Sequence, residues 1–261
     1  MNAKATDLSA TWNIKSSMPA WNWLYSMGAT AALIALLVNV SDIVLGFGGS
    51  EVITYGFQPA ATWFAVFQQS PFKGLYSLGI FNIAYMFAML PVYVALLWAH
   101  RRHQGVQAAL VLIVFLLATA IYVSTNAAIP MLVLSKKYAL AQTELQKTIF
   151  IAAGEAILAR GEDFTPGAFI GLFLSGCAAI VISFIMLRGG VFGKRNAWIG
   201  IVGFTFLSLF TISATFVPAL YTFAFYFFGS IGGILALTWF ALTSRRLFQL
   251  GASEENNNVG A

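Results

Sequence analysis

The stretch LYSLGIFNIAYMFAMLPVYVALLWA at 75–99 decides the fold class. It contains no charged residue, and Arg101 and Arg102 follow it directly. A helix needs about 20 mostly apolar residues to cross the hydrocarbon core of a bilayer, which is roughly 30 Å thick. The stretch is therefore typical of a transmembrane helix with a basic end.

Comparable apolar runs recur along the chain and are bounded by charged residues, glycine or proline. They predict an all-α, polytopic transmembrane helix bundle of about six spans, near 23–46, 75–99, 106–134, 167–188, 197–217 and 219–243. The bundle occupies 23–246, between a retained polar N-terminal tail at 1–22 and a polar C-terminal tail at 247–261. Only Val217 and Pro218 separate the last two runs, which we interpret as a tight two-span hairpin; a single kinked helix is the alternative.

Composition supports a membrane protein and argues against a water-soluble one. Of the 261 residues, 59% are hydrophobic and 9% are charged, with a mean hydropathy of +0.81. Soluble domains carry about 25% charged residues. The net charge of +5 comes from short basic clusters at the ends of apolar runs, a pattern of membrane orientation rather than of nucleic-acid binding. The single Cys177 provides neither a disulfide framework nor a cysteine metal cluster.

Basic residues predict the orientation of the bundle. Alternating the six spans places nine of them on one side and five on the other. The basic-rich side is normally cytoplasmic, so we expect a bacterial inner-membrane protein with both termini in the cytoplasm. The two groups are Lys4, Lys15, Arg101, Arg102, Arg188, Lys194, Arg195, Arg245 and Arg246, against Lys73, Lys136, Lys137, Lys147 and Arg160.

Two external segments have the pattern of interfacial helices. Between 48 and 74, Pro59 begins a stretch that carries Trp63, Phe64 and Phe67, which indicates a short helix on the membrane surface. Between 135 and 165, apolar residues recur at three- and four-residue spacing among polar ones, at Leu145, Ile149, Ala152 or Ala153, and Ala156. This second pattern predicts an amphipathic cap helix rather than a seventh span.

The region from Gln142 to Ala219 contains AAGEAIL and then GLFLSGCAAIVISFIMLRGGVFGKRNAWIGIVG, and LALTWFALTSRRLFQLG follows it. This order of apolar segments, glycines and basic ends resembles an uncharacterised bacterial family of multi-pass integral membrane proteins that carry a domain of unknown function. The resemblance implies a bacterial inner-membrane protein. It implies no activity and no catalytic residue.

A candidate ligand site is predicted where polar residues share the outer third of the spans. Asp42 lies within the first apolar run, with Asn39 about one helical turn below it. A carboxylate in hydrocarbon is costly unless it pairs, takes up a proton or faces water. Asn82, Ser124 and Asn126 fall at similar depth in the next two spans, which predicts an outward-facing polar pocket. The alternative is that these groups only join helix to helix, with Asp42 hydrated at the interface.

Small residues at four-residue intervals predict close helix packing, either inside the bundle or between protomers. They are Gly167, Gly171 and Ser175 in the fourth span, and Gly229 and Gly233 in the sixth. Pro91 and Pro130 should bend the second and third spans.

Other chemistry finds little support. His100 and His103 could share a helical face, but the flanking Arg101 and Arg102 would repel a metal ion, so a basic turn that meets anionic lipid head groups is the better interpretation. We predict no catalytic residue, no metal, no cofactor and no nucleic-acid partner.

The leading functional hypothesis is an inner-membrane protein that binds or transports a small or lipophilic molecule through the outward-facing polar pocket. The alternative is a structural or accessory subunit of a larger membrane assembly. The expected partners are the lipid bilayer and either a second copy of the chain or another membrane protein. An enzymatic role is disfavoured because only Asp42 lies as an ionisable group within an apolar span.

Overall fold

The computed structural model describes the backbone of residues 21–48 and 58–259, and side chains over 21–45 and 58–253. The predicted N-terminal tail lies almost entirely outside these ranges, as do Lys4 and Lys15. The described part of the chain is helical and contains no strand. The prediction of an all-α bundle with six apolar helices long enough to span a membrane is confirmed.

The helices follow one another with short connections. They are α1 (Asn22–Gly48), α2 (Ala60–Gln69), α3 (Pro71–Ser77), α4 (Ile80–His100), α5 (Gly105–Thr125), α6 (Ala128–Ala139), α7 (Glu144–Gly161), α8 (Pro166–Gly189), α9 (Lys194–Phe216), α10 (Tyr221–Ala224) and α11 (Ser230–Val259). A 3₁₀ turn at Pro218–Leu220 precedes α10, and a π-helical segment at Phe225–Gly229 joins α10 to α11.

Six long helices form a closed ring in chain order. Helix α1 packs against α4, α4 against α5, α5 against α8, α8 against α9 and α9 against α11, and α11 returns to α1. The end of α11 lies beside the beginning of α1, since Gly251 adjoins Asn22 and Tyr25. Both described ends of the ring are therefore on the same side of the bundle.

The core of the ring is fullest in the half that contains these two ends. Buried residues from all six ring helices meet there, including Ala32, Tyr93, Phe115, Ile182 and Trp239. Tyr93 stacks on Phe115 with 4.3 Å between ring centroids. Trp239 is completely buried, and its ring lies 5.3 Å from that of Phe204.

A second, smaller core joins the four short helices at the opposite end. Trp63, Phe64 and Phe67 of α2 pack with Met131 of α6 and Leu158 of α7. The side chain of Ser135 donates to the carbonyl of Phe64 at 3.0 Å. We call α2, α3, α6 and α7 the cap. The aromatic residues from which α2 was predicted are thus buried against the other cap helices, so α2 is part of a layer of helices.

Helix α7 packs through a different face from the one that its apolar spacing suggested. Leu145 and Ile149 are 71% and 56% exposed, while Gly154, Leu158 and Gly161 are buried. The helix begins with a capping box, in which Thr143 and Gln146 bond to each other's backbone amides. The predicted apolar face is therefore left uncovered by the described residues.

Two predicted spans are each divided in the structure. The run 75–99 breaks at Leu78 and Gly79, where Gly79 has a φ of +83°. The run 106–134 breaks after Thr125, at Asn126 and Ala127. A proline ring clashes with the carbonyl four residues before it, and for Pro130 that residue is Asn126. Pro91 lies inside α4, which continues through it without a break.

The last two spans form a hairpin, as predicted for the Val217-Pro218 boundary. Helix α9 ends at Phe216, and the chain turns at Val217 and returns along α9. Helix α11 then runs on to Val259, so most of the predicted C-terminal tail at 247–261 continues this helix.

Candidate functional site

A cavity of about 700 Å³ lies between the ring and the cap. Its walls come from five of the six ring helices, from α2 and α3, from the turn between α7 and α8 and from the segment that joins α9 to α11. Among the ring helices, α5 contributes no lining residue in the described part of the chain. The cavity occupies the half of the ring opposite the two described ends. The distribution of basic residues predicts that this half is on the outer side of the membrane.

Three of the predicted site residues line this cavity. Asp42 and Asn39 reach it from the last turns of α1, and Asn82 from the first turn of α4. The Asn39 side-chain amide donates within its own helix, to the carbonyl of Ala35 at 2.7 Å. Three side chains that were predicted to share one depth, on two helices, thus line the same cavity.

The Asp163 carboxyl accepts hydrogen bonds from two ring helices at the cavity wall, and it is not among the site residues predicted from the sequence. Its Oδ2 accepts from the Asn82 amide at 2.8 Å, and its Oδ1 accepts from the Tyr122 hydroxyl at 2.6 Å. A carboxylate away from water needs such donors. Asp163 therefore ties α4 and α5 to the turn that precedes α8.

The local chain geometry explains why Asp163 sits here. Glu162 ends α7 in an extended conformation, Phe164 adopts a φ of +65°, and Thr165 caps α8 by accepting from the amide of Ala168. Pro166 supplies the first turn of α8, a position where its missing N–H costs nothing. This sharp turn directs the preceding carboxyl into the ring.

Asp42 differs from Asp163 because it has no hydrogen-bond partner among the described residues. The half-buried carboxyl lines the same cavity as Asp163. Asn39 could have served as a local donor, but its amide bonds to Ala35. Among the described residues, no hydrogen-bond donor stabilises the charged form of Asp42. Its carboxyl is stabilised only by facing the cavity.

Glu162, Lys73 and Trp63 complete the polar end of the cavity. The Glu162 carboxyl lies next to the indole of Trp63. The Trp63 side chain is 3% exposed. Among the described lining residues, three carboxyl groups thus face one lysine.

The opposite end of the cavity has no charged residue in its described lining and is mainly apolar, with hydroxyl groups only at Tyr85, Ser175 and Ser208. Met86, Leu172, Leu207, Leu237 and Phe240 line it, together with Phe204. Phe204 and Phe240 both pack edge-on against the buried Trp239, at 5.3 and 5.5 Å between centroids. This aromatic cluster closes the cavity toward the half of the ring that holds its two ends.

The structure places the other two predicted site residues away from the cavity. Ser124 is exposed, and its hydroxyl donates to the carbonyl of Ile121 within the same helix. Asn126 is buried at the break between α5 and α6, where it donates to the Leu78 carbonyl at 3.1 Å and accepts from the Ala128 amide at 3.0 Å. Asn126 thus joins two helix breaks rather than contributing to the lining.

The predicted packing residues fall in different environments. A Cβ on Gly171 would lie 2.9 Å from the Cβ of Tyr122, so this glycine allows α8 to approach α5 closely, whereas Gly167 adjoins the backbone of Arg160. Ser175 is buried and lines the cavity, as does Gly229 beside Phe210. A Cβ on Gly233 would meet nothing within 4 Å.

The two histidines are separated by the structure. His100 is the last residue of α4 and is 3% exposed; its Nδ1 bonds to the Leu96 carbonyl at 2.8 Å, and its ring stacks on Phe192. His103 is exposed in the turn. Only His103 is therefore available to a lipid head group, and the interpretation of a shared basic turn does not extend to His100.

Comparisons of the chain with protein-family models, with curated protein sequences and with solved structures find no match. The resemblance to an uncharacterised bacterial membrane family stays a prediction.

Proposed function

We propose that this protein is a bacterial inner-membrane protein that binds a small or lipophilic molecule in the cavity between the ring and the cap, and carries it. A cavity with a few convergent polar groups and apolar walls is the usual form of a small-molecule site. Here those polar groups are Asp42, Asn82, Glu162 and Asp163.

The observation that carries the proposal is the unpartnered carboxyl of Asp42. Ionisable residues within membrane spans are rare, usually have a partner, and mark substrate or ion pathways. The Asp163 carboxyl has partners in Asn82 and Tyr122, whereas the Asp42 carboxyl has no such partner among the described residues. A ligand in the cavity would supply the donor that Asp42 lacks.

The proposed orientation places both termini in the cytoplasm and the cavity on the outer side. Clustered basic residues at the half of the ring that holds Asn22 and Gly251 support it. Arg101, Arg102 and Lys194 lie in or beside helix ends there, and Arg245 and Arg246 lie within two turns of Gly251 on α11.

Replacing Asp42 with Asn tests the proposed site. The full-length protein is purified gently, small molecules are extracted from it, and their identities and amounts are measured by mass spectrometry. We expect a compound that is retained by the wild type and lost from D42N, while the apparent Tm of the variant stays unchanged. Glu144→Gln is the matched control, because it removes an exposed carboxylate whose ion pair among the described residues is with Lys147.

A D42N variant that keeps the same compounds at the same occupancy would overturn the proposal. In that event, a stable protein partner that co-purifies with both variants would support the alternative of an accessory subunit.

A further inference from the structure

The cavity is polar at one end and apolar at the other, in an order that follows the helix axes. On α9 its lining runs from Phe204 to Ala214, and on α11 from Ser230 to Phe240. Ten residues of helix rise about 15 Å. This depth is half of the roughly 30 Å thickness of a bilayer's hydrocarbon core, and so corresponds to one leaflet.

Two side chains that line the cavity, one on α1 and one on α11, are also exposed. Ile43 is 42% exposed and Ile234 is 66% exposed. Below this level the two helices are in close contact, with the Ser244 hydroxyl donating to the Ala29 carbonyl at 2.8 Å. Burial along α1 changes accordingly: Ala29, Ala31, Ala32 and Ala35 are buried, whereas none of residues 36–45 is.

The facing side of α11 is open at the same level. A Cβ on Gly233 would meet no atom within 4 Å, although that residue lines the cavity, while the adjacent Gly232 packs against Leu207 of α9. At this level α11 packs against α9 through Gly232. The space between Ile43 of α1 and Ile234 of α11, which are both exposed and both line the cavity, is the candidate for a side opening toward the apolar surroundings of the ring.

A buried polar group in the cavity wall has no hydrogen-bond partner among the described residues. It is the hydroxyl of Ser208, which lies about one turn above Phe204 and is 9% exposed. A buried polar group without a partner costs roughly 1–3 kcal/mol, so Ser208 favours an occupied cavity.

We propose that the occupant is a single-chain amphiphile with a cationic amine head, which enters sideways from the bilayer between α1 and α11; this inference rests on the proposed function. The ammonium group lies at Asp42 and Glu162, where carboxyl groups outnumber basic ones. The alkyl chain extends past Leu237 toward Phe204 and Phe240. No head group needs to cross hydrocarbon, because the polar end of the cavity lies at the outer ends of α1 and α4.

The head-group inference is tested with three probes that differ only in the head: dodecylamine, dodecanoic acid and dodecanol. Binding to the full-length protein in phosphatidylcholine nanodiscs is measured by calorimetry at neutral pH, with empty nanodiscs subtracted. We expect one equivalent of dodecylamine, bound about tenfold more tightly than either other probe. D42N should reduce the preference for the amine, whereas E144Q should not.

The side opening is tested with Gly233→Leu, which places a side chain in the open part of the cavity. The matched control is Gly193→Leu, since a Cβ there also meets nothing within 4 Å and Gly193 lies outside the cavity. We expect G233L to weaken dodecylamine binding at least about tenfold without lowering the apparent Tm, and G193L to leave binding unchanged.

The outcomes separate the two proposals. If dodecanol or dodecanoic acid binds as tightly as the amine and G233L still blocks binding, the cavity binds a lipophilic ligand and the cationic head is wrong. If the amine is preferred but G233L has no effect, the side opening is wrong. If no probe binds and D42N retains every compound that the wild type retains, the proposed function itself fails.

Discussion

The hydroxyl of Tyr122 donates to Oδ1 of Asp163 at 2.6 Å, across 41 residues of sequence. This bond joins α5 to the turn before α8 and holds a carboxyl group at the cavity wall. Tyr122 is fully buried. The loss of this donor should therefore affect both the stability of the ring and the position of Asp163.

Tyr122→Phe should lower the free energy of unfolding by about 1–3 kcal/mol, because it leaves the Asp163 carboxyl with one hydrogen-bond donor fewer. Thermal unfolding of the purified protein measures the effect. Tyr226→Phe is the control, since Tyr226 is 66% exposed. With Asp163→Asn as the second substitution, the combined loss should be smaller than the sum of the two single losses. Strict additivity would show that the bond is not the cause.

Gly79→Ala should destabilise the protein by at least about 1 kcal/mol, because the residue has a φ of +83°. Its Cβ would also lie 2.7 Å from the Tyr122 hydroxyl and 2.8 Å from Oδ2 of Asp163. Gly105→Ala serves as the comparison, since nothing lies within 4 Å of a Cβ there. Equal thermal stabilities of the two variants would contradict the requirement for glycine at position 79.

Asn126→Ala should lower the free energy of unfolding by about 2 kcal/mol, because it removes two hydrogen bonds of a buried side chain. One is donated to the Leu78 carbonyl and joins the two helix breaks, and the other is accepted from the Ala128 amide within the second break. Ser124→Ala removes only a bond within α5 and should change the free energy of unfolding by less than about 0.5 kcal/mol. Chemical or thermal unfolding distinguishes the pair, and a larger loss from Ser124→Ala would be evidence against the described break.

Gly171→Ala should be more destabilising than Gly233→Ala. The first adds a methyl group 2.9 Å from the Tyr122 side chain and 3.0 Å from its backbone nitrogen, and the second adds one to open space. Overpacking of this kind costs about 1–3 kcal/mol, whereas an alanine at the open position gains helix propensity. The order of the two apparent Tm values is the measurement, and the reverse order would contradict the described packing of α8 on α5.

Single cysteines test the proposed orientation in a Cys177→Ser background. A cysteine at Gln142, in the turn between α6 and α7, should react with a membrane-impermeant maleimide on intact spheroplasts. A cysteine at His103, in the turn between α4 and α5, should react only after the membrane is permeabilised. The opposite pattern would place both ends of the ring outside and the cavity on the cytoplasmic side.

The sequence predicts the bundle well because an apolar run of sufficient length has few alternatives in a bilayer, where every backbone polar group must be satisfied within the helix. It also identifies Asp42, since a carboxylate within such a run is visible without knowledge of the fold. Its depth, together with that of Asn39 and Asn82, follows from counting residues along two helices.

The faces of the helices could not be predicted in the same way. The outer surface of a membrane helix is as apolar as its core, so periodicity does not distinguish the two. Ser124 and Asn126 have the same predicted depth, yet one is exposed and the other is buried. Asp163 could not be predicted for a different reason. It follows Glu162 in a polar connection, where charged residues are usually solvated, and only the folded chain places Tyr122 and Asn82 beside it.

Closure of the ring in chain order has a consequence for biosynthesis. Helices emerge from the ribosome in sequence, so α1 and α4 can associate early, but the neighbour of α1 on its other side is the last ring helix to be made. Until α11 inserts, α1 has an uncovered flank, and one wall of the cavity is missing. A nascent chain that stops before α11 would already contain Asp42 on α1, but the cavity that Asp42 lines would still be open on one side. The enclosed cavity therefore forms only when the last ring helix inserts.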